Sequence, residues 1–138
     1  MRTRNESLPI RIVATLDDTN VYGMEGIYFI IPKQSEDSLR YLLGILNSKL
    51  INYLFATKFL NLAIKAEYVK QIKFPNASKK QKGKIEELVN AILQGKLSDA
   101  DTAKEEIAID LLMFQLYGLT YDEVLIVDPE TSITREEY

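Results

Sequence analysis

The sequence contains no cysteine and no histidine. Without cysteine there is no disulfide framework and no thiolate metal site. Without histidine the commonest metal ligand and the commonest general base are both missing. An enzyme built from this chain would have to work with carboxylates, Lys, Tyr or Ser. Glycine is scarce: the six residues are scattered, and no P-loop or Gly-x-Gly-x-x-Gly run occurs. Ser-x-x-Lys and Gly-x-Ser-x-Gly nucleophile motifs are absent as well. Residues Met1 to Ser7 lack the apolar core of a signal peptide, so the sequons at Asn5 and Asn76 carry no expectation of glycosylation. The stretch 42–59 is strongly apolar, but Asn47, Ser48, Lys49 and Asn52 interrupt it, which excludes a membrane span of ~20 apolar residues. Asp17 with Asp18, and Asp99 with Asp101, are the only close carboxylates outside expected helices. They are expected as turn and cap residues rather than metal ligands. Neither a catalytic residue nor a metal site is expected.

What is present fits one globular domain: 138 residues, 46% hydrophobic and 27% charged. The net charge of −3 hides an asymmetry. Residues 1–83 carry 13 Lys and Arg against 7 Asp and Glu, a net +6, whereas residues 84–138 carry 4 against 13, a net −9. Such a division suits a polyanion-facing half joined to a solvated or partner-facing half, and equally suits acidic helices that are merely soluble.

The fold class expected is α+β. Residues 10–16 alternate, with Ile10, Ile12, Ala14 and Leu16 facing one way, the period of a half-buried strand. A second β-rich run, Gly26 to Ile31 closed by Pro32, predicts a small sheet or hairpin across a loop at 17–25. Leu39, Leu42, Leu43, Leu46, Leu50, Tyr53 and Leu54 recur at helical spacing. They predict a long core helix under the sheet, bent or restarted at Asn47–Ser48, where short polar side chains can bond the backbone. From Ser78 onward the chain reads as helical. Ser78 to Gln81, Thr102 to Glu105 and Thr120 to Glu123 each fit a capping box. They open two amphipathic helices, forming an antiparallel hairpin over 79–117, and a short helix through Ile126. The division expected is 1–76 as a β-rich recognition portion with the core helix, 77–127 as the helical hairpin plus a short helix, and 128–138 as a polar, frayed tail.

Four stretches in order resemble one family: Ile12 to Asp18 (IVATLDD), Tyr28 to Pro32 (YFIIP), Tyr41 to Tyr53 (YLLGILNSKLINY) and Ile64 to Ile72 (IKAEYVKQI). Together they look like the TaqI-like C-terminal specificity domain. That domain is the target-recognition region of adenine-specific DNA methyltransferases, including fused type IIG restriction enzymes. Leu46 to Leu50 (LNSKL) also resembles specificity subunits of type I restriction systems. Leu116 to Thr120 (LYGLT) with Glu123 resembles an ending common in such enzymes. The catalytic Asn/Asp-Pro-Pro-Tyr motif and the Pro-Asp…Glu-x-Lys nuclease pattern are absent.

The resemblance implies a non-catalytic piece from the C-terminal end of a larger cytoplasmic, bacterial restriction-modification enzyme. Its partners would be double-stranded DNA and a methyltransferase domain, with no membrane. S-adenosylmethionine is expected for the parent enzyme and no cofactor for this chain. Arg2, Arg4, Arg11, Lys58, Lys65, Lys70 and Lys73 are basic, with Tyr22, Tyr28, Tyr53 and Tyr68 interspersed. Of these, Arg4, Arg11, Lys58 and Lys65 are the candidate DNA contacts, chosen for charge and loop position, with Lys49 a weaker one. The rival expectation is a helical interaction or homodimerisation module. It rests on two apolar faces of the helix after Thr102: Ile107, Leu111 and Phe114 on one, and Ile109, Leu112 and Leu116 on the other.

Overall fold

A computed structural model of the chain describes residues 12–19, 22–23, 26–33, 38–59 and 64–138. These contain six helices: α1 (Leu39–Asn47), α2 (Lys49–Lys58), α3 (Ala66–Val69), α4 (Lys79–Leu97), α5 (Ala103–Leu116) and α6 (Tyr121–Val127). Among the described residues there is no strand and no sheet, which corrects the α+β expectation and its N-terminal hairpin.

The reason is visible in what satisfies the backbone. Residues 12–18 are extended, and their side chains alternate as anticipated: Ile12 is buried, Ala14 and Leu16 half-buried, Val13 and Thr15 exposed. Yet the hydrogen-bond partners come from helix side chains. The Ile12 N–H donates to Asn52 Oδ1 at 2.8 Å. The Ala14 N–H donates to Asn47 Oδ1 at 2.8 Å, and Asn47 Nδ2 donates back to the Ala14 carbonyl at 2.9 Å. A primary amide carries the same donor and acceptor as a peptide unit, so Asn47 occupies the place a neighbouring strand would fill. Ile10 and Arg11 lie outside the described residues. The second run contributes no core: Ile27, Tyr28, Phe29, Ile30 and Ile31 are exposed on both faces.

The single core helix is two helices, restarted at Ser48. This residue is extended (φ −64°, ψ 150°), ends α1 and caps α2. Its hydroxyl donates to the Ile45 carbonyl at 2.7 Å and accepts from the Ile51 N–H at 3.3 Å. Asn52 Nδ2 then donates to the Ser48 carbonyl at 3.1 Å. Short polar side chains thus close both orphan helix ends at the junction.

The capping boxes at Ser78/Gln81 and Thr120/Glu123 form. The one expected at Thr102 does not: Thr102 is buried and its hydroxyl donates to Glu106 Oε1 at 2.7 Å, while Asp101 Oδ1 accepts the Ala103 N–H at 3.0 Å. The main core joins α1, α2, α4 and α5 through Ile45, Ile51, Phe55, Ile85, Val89, Ile109 and Met113. Gly44 lets α1 and α4 approach closely, since a Cβ there would sit 2.8 Å from Ile85 Cγ2 and 3.2 Å from Val89 Cγ2. A second cluster of Phe114, Val124 and Ile133 closes the other side of α5. Burying each of those side chains is worth about 1.5–3 kcal/mol. Ile133 therefore docks the tail that the sequence suggested would fray. Tyr121 Oη donates to the Ile133 carbonyl at 3.0 Å, and Tyr138 Oη donates to the Leu119 carbonyl.

Candidate nucleic-acid interface

Two of the four anticipated contacts, Arg4 and Arg11, lie outside the described residues. The other two come together around an aromatic stack. Lys58 ends α2, where the helix dipole favours a cation. Its Nζ stands 5.4 Å from the centroid of the Phe59 ring. Phe59 tilts against Phe55 at 5.0 Å and stacks on Tyr68 at 4.3 Å, with 13° between the ring planes. Tyr68 belongs to α3, which starts immediately after Lys65; its N–H donates to the Lys65 carbonyl at 2.9 Å. The stack therefore ties the end of α2 to α3, and Lys58 and Lys65 are the exposed cations bordering it. Lys65 makes no capping bond. As point charges on long stems, both suit phosphate oxygens better than base edges. Tyr68 spends a ring face on Phe59, whereas Tyr22 and Tyr28 are exposed.

Lys49 has a structural task. Its backbone N–H donates to Asp110 Oδ1 at 2.8 Å, and its ammonium pairs with Asp128 Oδ2 at 2.5 Å. Asp110 reaches from α5 to cap the first turn of α2. Burial pushes its carboxyl up to about 6, against the opposing pull of the Lys49 backbone bond and charge. Lys49 and Asp110 thus lock the hairpin onto the α1–α2 junction.

Beyond α3 the chain turns at Lys70 and Gln71 and then runs without helix to Ser78, held by two phenols. Tyr117 Oη donates to the Lys73 carbonyl at 2.9 Å, and Tyr41 Oη donates to the Pro75 carbonyl at 3.3 Å. Burial raises both tyrosines, Tyr117 to about 12. Lys70 and Lys73 are exposed on this stretch. Glu67 and Lys70, one helical turn apart, form no ion pair among the described residues. Sequence reasoning passed over Lys79, Lys80, Lys82 and Lys84, because Ser78 to Gln81 was absorbed by its capping role. The signal that could have found them is the absence of any acidic residue between Glu67 and Glu86.

One member of each carboxylate pair makes a turn or cap bond: Asp17 in the first and Asp101 in the second. Asp17 Oδ1 accepts from the Thr19 N–H at 3.0 Å and from its hydroxyl at 2.6 Å. No group of three metal-ligating side chains occurs among the described residues, and no helix among them is long and apolar enough to cross a membrane. Of the two apolar faces of α5, Ile109, Leu112 and Leu116 join the main core and Leu111 and Phe114 the second cluster, while Ile107 is exposed.

Comparison with known proteins gives one family: a model described as the TaqI-like C-terminal specificity domain matches residues 4–74, just over half of the chain. No curated protein and no solved structure matches.

Proposed function

Because the chain belongs to the TaqI-like C-terminal specificity domain family, a family of specificity rather than catalytic domains, we propose that residues 4–74 grip target DNA. They would hold it against an adenine methyltransferase domain elsewhere in the parent protein. The family match carries this reading, and the exposed pair Lys58 and Lys65 around the Phe59–Tyr68 stack supports it. Phosphate contacts from Lys58 and Lys65 would set register, and base readout would fall to other residues of the same segment. The methyltransferase domain would flip the adenine while this region braces the duplex.

S-adenosylmethionine is implied for the parent by the resemblance. The six glycines of this chain are scattered and form no Gly-x-Gly-x-x-Gly run that could cradle it. The methyl donor therefore belongs to the partner domain in this reading.

The test is fluorescence anisotropy with a labelled duplex at several salt concentrations. Binding that weakens linearly in log affinity against log salt is expected, with Lys58→Gln/Lys65→Gln reducing the slope by up to about two. No binding at about 50 mM salt, where phosphate contacts are strong, defeats the reading.

A further inference from the structure

Between Glu67 and Glu86 the chain carries six lysines, Lys70, Lys73, Lys79, Lys80, Lys82 and Lys84, and no acidic residue. All six are exposed. Only Lys84 has an ion pair among the described residues, a 3.6 Å contact with the well-exposed Glu87. The strip is also held in place. Tyr117 and Tyr41 fasten the carbonyls of Lys73 and Pro75, and Lys82 Nζ lies 5.5 Å from the centroid of the same Tyr41 ring. Tyr41 therefore joins the stretch after α3 to the first turns of α4. On α4 the core side is marked by the buried Ile85 and Val89. At about 100° per residue Lys79, Lys80 and Lys84 project away from that side, while Lys82, three residues before Ile85 and seven before Val89, continues the same stripe at the helix start, over the Tyr41 ring; the four lie within about 8 Å along the axis at 1.5 Å per residue.

We propose that this acid-free strip, centred on Lys79, Lys80 and Lys82, is a second DNA-backbone surface, whose centre lies beyond the residues that match the family. The inference rests on the DNA-binding reading and adds a contact region to it. Duplex DNA presents one phosphate charge per ~1.7 Å of axis, dense enough to meet every lysine of the strip. Ammonium groups, which lack a planar guanidinium fork, match phosphates rather than base edges. The contact should therefore raise affinity for all sequences alike. The strip supplies five of the thirteen basic residues in 1–83, while thirteen of the twenty acidic residues lie from Glu86 onward.

The experiment compares the wild-type chain, Lys79→Gln/Lys80→Gln/Lys82→Gln, and the control Lys104→Gln, each titrated into two duplexes of unrelated sequence across a salt series. Circular dichroism of the triple variant checks the fold. It should be retained, because cations at a helix N-terminus oppose the dipole and their loss does not weaken the helix. The expected result is a salt slope reduced by two to three in the triple variant, at about 0.9 per phosphate contact. Affinity should fall by the same factor on both duplexes, and the control should be unchanged. A wild type that binds with a steep slope and a folded triple variant with that same slope overturns this inference alone. A wild type that binds neither duplex at low salt overturns the DNA-binding reading along with it. A loss confined to one duplex also overturns the proposal, since it would mean base readout.

Discussion

Replacing Asp110 by Asn should remove a pH dependence from folding. Asp110 is 7% exposed, and its Oδ1 accepts the Lys49 N–H. The groups around it are Lys49 from α2, Asp128 after α6 and Glu106 on its own helix. Burial outweighs the favourable bond and charge of Lys49, so the carboxyl titrates near about 6 rather than 3.8. A carboxyl with a raised folded pKa binds its proton more tightly in the folded chain than in the unfolded one. Stability therefore falls as pH rises from about 4 to 6, stays reduced above that, and recovers below 4. The gap corresponds to roughly 3 kcal/mol at 1.36 kcal/mol per pKa unit, or a melting shift on the order of 10 °C for a domain of this size. Asp110→Asn keeps the acceptor for Lys49 and loses the charge. Its stability relative to wild type should be highest and level from pH 8 to about 6 and decline from there toward pH 4, whatever constant offset the new amide introduces. Asp110→Leu, which leaves the Lys49 N–H without its acceptor, should be less stable than Asp110→Asn by about 1–3 kcal/mol at every pH. Thermal melts of the three proteins from pH 4 to 8 decide the matter. Parallel wild-type and Asp110→Asn curves would refute the argument that burial dominates at this site.

Two further outcomes follow from the packing. Hydrogen exchange should show protection at the amides of Ile12 and Ala14 but not of Val13 and Thr15, because only the former donate to Asn52 and Asn47. Asn47→Ala should abolish protection at Ala14 and cost about 1–2 kcal/mol in a urea melt for its two bonds; unchanged exchange at Ala14 would sink the idea that the side-chain amide holds the segment. Gly44→Val should destabilise by about 2–3 kcal/mol, because the new methyls meet Ile85 and Val89 where α1 crosses α4. A rise in melting temperature, as helix propensity alone would give, is the contrary result.

Much of the helical half was legible because its signals are local. Ser78 with Gln81 and Thr120 with Glu123 cap as their spacing says, and the Asn47–Ser48 step breaks the core helix where short polar side chains compete with the helical backbone. The alternation of Ile12, Ala14 and Leu16 was also legible. Its meaning was not, since period two reports which side is buried and says nothing of what bonds the backbone. Asn47 and Asn52 supply those bonds from 33 and 40 residues away. Thr102 failed as a box because tertiary burial redirected its hydroxyl to Glu106. Asp110 has no sequence signature at all: its burial and its task depend on α5 lying against the first turn of α2. Lys58 lies in the last turn of α2 rather than on the expected loop, and the Phe59–Tyr68 stack beside it required the fold.

The mount for residues 12–16 has a consequence for how this chain tolerates change. Asn47 and Asn52 hold the segment by its peptide groups, so their grip is blind to the side chains those peptides carry. In a sheet, each outward residue meets a cross-strand neighbour, and substitution disturbs that pair. Here Val13 and Thr15 are exposed, and the described residues offer no neighbouring strand for them to accommodate. The segment behaves as an interchangeable faceplate on a fixed bracket: its outer surface can be rewritten while its register stays locked from behind.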